Sequence, residues 1–115
     1  MGNKITHIDF HGTDRKELAA WYTSLFAWEL QVFDEYDYST FKSGEKEGGG
    51  FAVSEDGKPL VIPYVSVRDV QGTIDKIVAT GGSVAVEVTE MPEVTFAVCV
   101  DPQGNKVGLV LDPEA

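Results

Sequence analysis

The sequence predicts an α+β fold in which two βαβββ modules form a pseudo-twofold, curved mixed sheet around a cleft. Three observations predict it. Two aspartate-opened helix signals stand 55 residues apart, at Asp14 and Asp69. One strand-like run precedes each helix and three follow it. A turn-rich segment, "EDGKP" at residues 55–59, divides the two series. The same offset lays Phe10 on Val65 and Phe26 on Gly81, so the repeat lies in the order of elements more than in residue identity. The expected organisation is one domain, residues 1–115, with modules at about 4–55 and 59–112.

The first strand, residues 4–11, alternates. Ile5, His7, Asp9 and His11 share one face, and Thr6, Ile8 and Phe10 share the other. Asp14 followed by Glu17 resembles a capping box, which opens a helix over about 14–26. Leu18, Trp21, Tyr22 and Leu25 then make an apolar stripe at helical spacing. "WELQVFDE" and "YDYSTFKS" read as a hairpin, and "EGGGFAVSE" as the fourth strand. In the second half "LVIPYVSV" is a strand and Asp69 caps a helix to about residue 80. That helix carries Val70, Ile74, Ile77 and Val78 as its stripe. Gly81 and Gly82 stop it, because glycine takes the left-handed position past a helix end without strain. "SVAVEVTE", "VTFAVCV" and "KVGLVL" complete the module, with "DPQGN" at 101–105 as a tight turn.

Composition narrows the function. The chain has 115 residues and is 43% hydrophobic, enough for a core without disulfides. Its single cysteine, Cys99, excludes an internal disulfide and a cysteine zinc site, and fits a reducing compartment. A net charge of -10 repels a phosphate backbone, so no nucleic-acid partner is expected. No apolar run reaches the ~20 residues that span a bilayer, so no membrane partner is expected and the location is expected to be cytoplasmic. The opening "MGNKIT" fits the loose pattern M-G-x-x-x-[ST], but the core strand that follows argues against a lipid anchor.

Four phrases in order, "ITHIDF", "WYTSLFAWEL", "YVSVRDV" and "DPQGNKVGL", resemble the vicinal oxygen chelate superfamily of glyoxalase, bleomycin-resistance and extradiol dioxygenase proteins. The chain is most similar to its small glyoxalase-related single-domain members. The resemblance implies a glyoxalase-like fold, a small-molecule ligand and a homodimer. In metal-dependent members it implies His, Glu or Gln ligands on the first and last strand of each module. Those places correspond here to His7, Gly50 or its neighbour, Ile62 and Gly108. Isoleucine and glycine offer no ligand side chain, and tight binding needs three or four donors. No metal or other cofactor is therefore expected.

The candidate ligand-binding residues are His7, Asp9, Tyr64 and Ser66, on the strand faces turned away from the helices. Tyr64 aligns with Asp9 and should face it across the cleft. His7 can hold a ligand, move a proton or simply pack, and Asp9 can orient it or be solvated. His11, at the strand end, reads as surface. Trp21, Tyr22 and Phe26 read as core. Trp28, Phe33, Tyr36, Tyr38 and Phe41 line the cleft, fill the core or meet a dimer partner. Alternation points Phe51 to the helix side. Gly48, Gly49 and Gly50 mark a bulge or the close approach of another backbone or a ligand to a strand. Cys99 reads as a buried, inert thiol. Asp34, Glu35, Asp37, Glu45 and Glu47 read as a solvated surface. The favoured function is a metal-free small-molecule-binding protein with no assigned reaction. Two alternatives stay open: a divalent-metal lyase, isomerase or dioxygenase using His7, with a glyoxalase-related lyase as its simplest form, and a drug-binding protein of the bleomycin-resistance type.

Overall fold

A computed structural model describes residues 2–115; Met1, the first residue of the lipidation pattern, lies outside the described residues. The strands are β1 (Ile5–Gly12), β2 (Glu29–Phe33), β3 (Tyr38–Lys42), β4 (Gly48–Val53), β5 (Leu60–Val67), β6 (Ser83–Glu90), β7 (Thr95–Val100) and β8 (Lys106–Leu111). The helices are α1 (Arg15–Phe26) and α2 (Val70–Ala79), and one 3-10 turn spans Asp34–Tyr36. The order is βαβββ twice, as the repeat predicts. No described helix is long and apolar enough to cross a membrane.

The chain divides into two compact units. The N-terminal unit, residues 6–62, carries strands in the order β2-β3-β4-β1. Its hairpin and β3–β4 are antiparallel, while β1 and β4 run parallel. The C-terminal unit joins residues 63–115 to the first few residues and carries β5-β8-β7-β6, again with one parallel pair, β5–β8. In that unit Lys4 is stitched to β5 by a bond from the Ser66 N–H to its carbonyl, 2.8 Å.

Local chemistry sets the helix starts. The side chains of Asp14 and Asp69 accept from the N–H groups of Glu17 and Gly72, at 3.0 and 2.9 Å, satisfying donors that the first turn leaves bare. Gly81 follows α2 with φ 101°, the left-handed conformation its position predicts.

Each unit packs its helix on one face of its sheet. Ala19, Phe41 and Phe51 form the N-terminal core, with Phe10, Leu18, Tyr22 and Trp28 against it. Val67, Val70, Ile74, Ala97, Cys99 and Leu109 form the C-terminal core. Burial raises the Cys99 thiol, and the nearby Glu87 carboxylate adds to it, which agrees with an inert cysteine.

The helix stripes differ from expectation. Ala19 and Arg15, not Trp21 and Leu25, are the buried residues of α1; Trp21, Leu25 and Phe26 are each more than half exposed. The small Ala19 lets the helix seat closely, which turns Trp21 and Leu25 off the contact. On α2, Val70 and Ile74 are buried, while Val78, in the last turn, is exposed.

Asp34 and Asp37 are more than solvated surface: both accept from the buried Arg15. The hydrogen bond from Arg15, with Lys16 adding charge, holds the Asp34 carboxyl below its ordinary value of 3.8. The Asn105 side chain and the backbone N–H groups of the 101–105 turn do the same for Asp101. A carboxyl lowered on folding contributes stability that is complete above its unfolded value and is lost as pH falls through the folded one. Melting temperature should therefore decline below about pH 4. The decline should be shallower in Asp34→Asn combined with Asp101→Asn, and thermal melts across pH 2–7 check it; an unchanged acid slope would refute these two carboxylates as its source.

Candidate functional site

Strand alternation in β1 sends Phe10 under α1 and places His7 and Asp9 on the opposite face of the sheet. The register sets what stands beside them: His7 is level with Gly48, Asp9 with Gly50, and Gly50 in turn with Thr40 of β3. Tyr38, the first residue of β3, projects from the same face as Thr40. Its ring crosses the bare backbone of Gly50, where a Cβ would collide with the Tyr38 hydroxyl. Close approach at the glycine run is thus real: at Gly48 and Gly49 neighbouring backbone comes close, and at Gly50 the approaching group is the Tyr38 side chain.

Crossing Gly50 brings three side chains together. The Tyr38 hydroxyl donates to Asp9 Oδ1 at 2.7 Å. His7 Nε2 lies 2.6 Å from the same oxygen and 3.0 Å from the Tyr38 hydroxyl. A carboxylate only accepts, and the one hydroxyl proton is directed at it, so Nε2 must carry a proton. Nδ1 is then the imidazole nitrogen that can take up a further proton. Asp9 is 6% exposed and so is far from merely solvated, whereas the His7 side chain remains 31% exposed. The arrangement is a buried carboxylate that orients a reachable imidazole and a phenol.

Next to His7 lies an open depression of about 280 Å³, lined among others by Thr6, Gln31, Thr40, Lys42 and Gly48. All belong to the N-terminal unit. Lys46, Glu45 and Glu47 flank it, so its rim carries both signs of charge. His11 departs from expectation: it is half-buried, and its Nε2 is buried without a hydrogen-bond partner among the described residues.

Tyr64 and Ser66 belong to the C-terminal unit. Tyr64 is buried, edge-on to Phe96, with its ring over Gly108, its partner in the β5–β8 register. Ser66 is half-buried, and its carbonyl accepts from the Asn3 side chain at 2.9 Å. Of the aromatic hairpin residues, Trp28 and Phe41 join the helix-side core, as Phe51 does, and Tyr38 joins His7 and Asp9. Tyr38 was one of five aromatics in the 28–41 hairpin segment; what distinguishes it is Gly50, across the ladder from Thr40, two residues further along the same face.

The metal positions that the family resemblance implies do not fit a metal. Ile62 is a buried aliphatic residue. Gly50 and Gly108 have no side chain, and tyrosine rings cover both. Among the described residues no group of three or more His, Cys, Asp or Glu side chains is placed to hold an ion.

Comparison with known proteins gives a consistent result. The model of the glyoxalase-like domain matches residues 6–110. A curated protein of Mycobacterium tuberculosis named "Putative glyoxylase CFP32" is 29% identical over 117 aligned positions, covering 89% of this chain and 43% of that protein. The chain thus spans less than half the length of the curated relatives it matches. Methylmalonyl-CoA epimerase from Mycobacterium tuberculosis superposes with a TM-score of 0.67 at 13% identity, over 95% of this chain and 88% of that one. A glyoxalase/bleomycin resistance protein/dioxygenase superfamily member from Vibrio splendidus gives 0.66 at 11% identity, over 96% and 100%. At these identities the two solved structures show the shared fold.

Proposed function

Because the chain belongs to the glyoxalase-like domain family, we propose that it binds a small polar organic molecule without a metal ion, using His7, Asp9 and Tyr38. The observation that carries this reading is the buried Asp9 oxygen, which accepts from both His7 and Tyr38. A carboxylate so placed costs desolvation and is retained most readily where the groups it orients are used. With the Tyr38 hydroxyl proton and the His7 Nε2 proton directed at Asp9, the phenol oxygen and the imidazole can accept hydrogen bonds from a ligand hydroxyl or amide, and the imidazole is placed for general acid–base work. Tyr64 and Ser66 are candidate ligand contacts within the C-terminal unit, considered by itself. A homodimer is part of it, supported by the exposed Trp21, Leu25 and Phe26 of α1, and so is a cytoplasmic location, supported by the lone unpaired cysteine.

The test combines elemental analysis with a thermal-shift screen of small organic acids, aldehydes and thioesters. The expected result is no stoichiometric divalent metal, and a hit whose affinity falls about tenfold or more in His7→Ala and in Asp9→Asn, the scale of one lost charge-assisted hydrogen bond. Tyr64→Phe reports on the C-terminal unit, and light scattering of the same sample reports the dimer. About one Zn, Ni, Mn or Fe per chain, lost in His7→Ala, would overturn the metal-free reading in favour of a metal enzyme.

A further inference from the structure

Arg15 opens α1, and its side chain is buried at 5% exposure. Its guanidinium makes three directed bonds. Nε donates to Asp37 Oδ1 at 3.1 Å, Nη1 to Ser39 Oγ at 2.6 Å and Nη2 to Asp34 Oδ1 at 2.8 Å. Asp37 and Ser39 are the two chain neighbours of Tyr38. Asp37 holds a left-handed conformation, φ 52°, which ends the 3-10 turn and starts β3. Ser39 lies on the helix side of the sheet, and Tyr38 projects from the other.

We infer that Arg15 is a positioning residue for the His7–Asp9–Tyr38 site, gripping both flanks of Tyr38 from one face so that its hydroxyl meets Asp9 on the other. The inference rests on the reading of those three residues as the ligand site. Two physical points carry it. Tyr38 is the first residue of β3, at the end of the ladder and beside a turn, where sheet hydrogen bonds restrain the chain least. A planar guanidinium with three partners fixes orientation as well as distance, whereas a buried charge is a poor device for stability alone. The grip reaches Tyr38 through one peptide unit on each side, so a shift at the turn moves the hydroxyl directly.

The test reads His7, not a ligand. Long-range proton–nitrogen NMR spectra of the histidine rings, with exchange rates of the Nε2 proton, are taken on the full chain. Tyr38→Phe is the reference for a lost hydroxyl. Arg15→Lys keeps the charge but not the fork. Asp37→Gly removes one partner at an exposed site whose conformation glycine adopts freely, so it carries the test if the Arg15 variant does not fold. The expected result is that both variants move the His7 Nε2 resonance towards its place in Tyr38→Phe and speed its proton exchange about tenfold, the scale of one lost hydrogen bond. Arg15→Lys added to Tyr38→Phe should move the resonance no further. Variants that melt earlier but leave the His7 resonance at its wild-type place would overturn the inference and leave the site reading intact. A Tyr38→Phe spectrum identical to wild type would overturn both.

Discussion

Replacing Phe51 by alanine is expected to cost about 3–5 kcal/mol of stability, the range for removing a buried aromatic ring and leaving a cavity. Phe51 is fully buried on the helix side of β4. Its ring centroid lies 5.0 Å from that of Phe41, 5.7 Å from Tyr22 and 6.0 Å from Phe10, so one truncation removes partners from three aromatic rings. These residues come from a strand, the helix and two further strands, and the sheet between them limits how far they can collapse into the gap. In a chain of 115 residues the loss corresponds to a melting temperature lower by about 10–20 °C. The control is Phe26→Ala on α1: that ring is more than half exposed, and its removal should shift the melt far less. Calorimetry on both variants decides it. Equal shifts for Phe51 and Phe26 would mean that the aromatic cluster is not the centre of the N-terminal core.

The sequence made the elements readable wherever the controlling interaction is local. Asp14 and Asp69 reach N–H groups three residues ahead, and Gly81 needs only its own backbone freedom, so their roles stand in the sequence itself. The faces of β1 were equally plain, because alternation has a period of two and cannot slip without reversing every residue. The interactions that escaped are those between elements. The inward direction of α1 depends on Ala19 and Arg15, and nothing in a stripe containing Trp21 and Leu25 announces that a small residue and a charged one will lie against the sheet. Arg15 gains its burial from Asp34, Asp37 and Ser39, 19 to 24 residues away, and a pattern of scattered acids reads as solvation until the hairpin folds back. His7 and Asp9 were legible as neighbours on one face. Tyr38 joins them only through a register that sets its ring over Gly50, and that register follows from pairings of β3 with β4 and of β4 with β1.

The glycine run provides the sharpest separation between the fold and the site. Gly49 and Gly50 are adjacent, point to opposite faces, and should respond to alanine in opposite ways. At Gly49 an added methyl would run into the carbonyl oxygen of Ile8 and the ring of Phe41, both held by the sheet and the core. Backbone cannot retreat without breaking the β1–β4 ladder, so Gly49→Ala should destabilise by about 3 kcal/mol, the upper end for overpacking, or leave no folded protein. At Gly50 the methyl would meet the Tyr38 hydroxyl and Asp9 Oδ1, the ends of side chains that can swing aside. Gly50→Ala should therefore fold, at a cost of about 1–3 kcal/mol as buried Asp9 loses one of its donors. It should also lose the hydrogen bond that Tyr38 donates to Asp9 and the contact of His7 Nε2 with the Tyr38 hydroxyl oxygen, now 2.7 and 3.0 Å. Circular dichroism melts of both variants, with proton–nitrogen spectra of the His7 ring in Gly50→Ala, check the pair. The expected outcome is near-native secondary structure in Gly50→Ala with a His7 ring signal like that of Tyr38→Phe, and loss of the cooperative melt in Gly49→Ala. A Gly50→Ala protein whose His7 signal is unchanged would show that Tyr38 does not cross Gly50, and the three-residue site would fall with it.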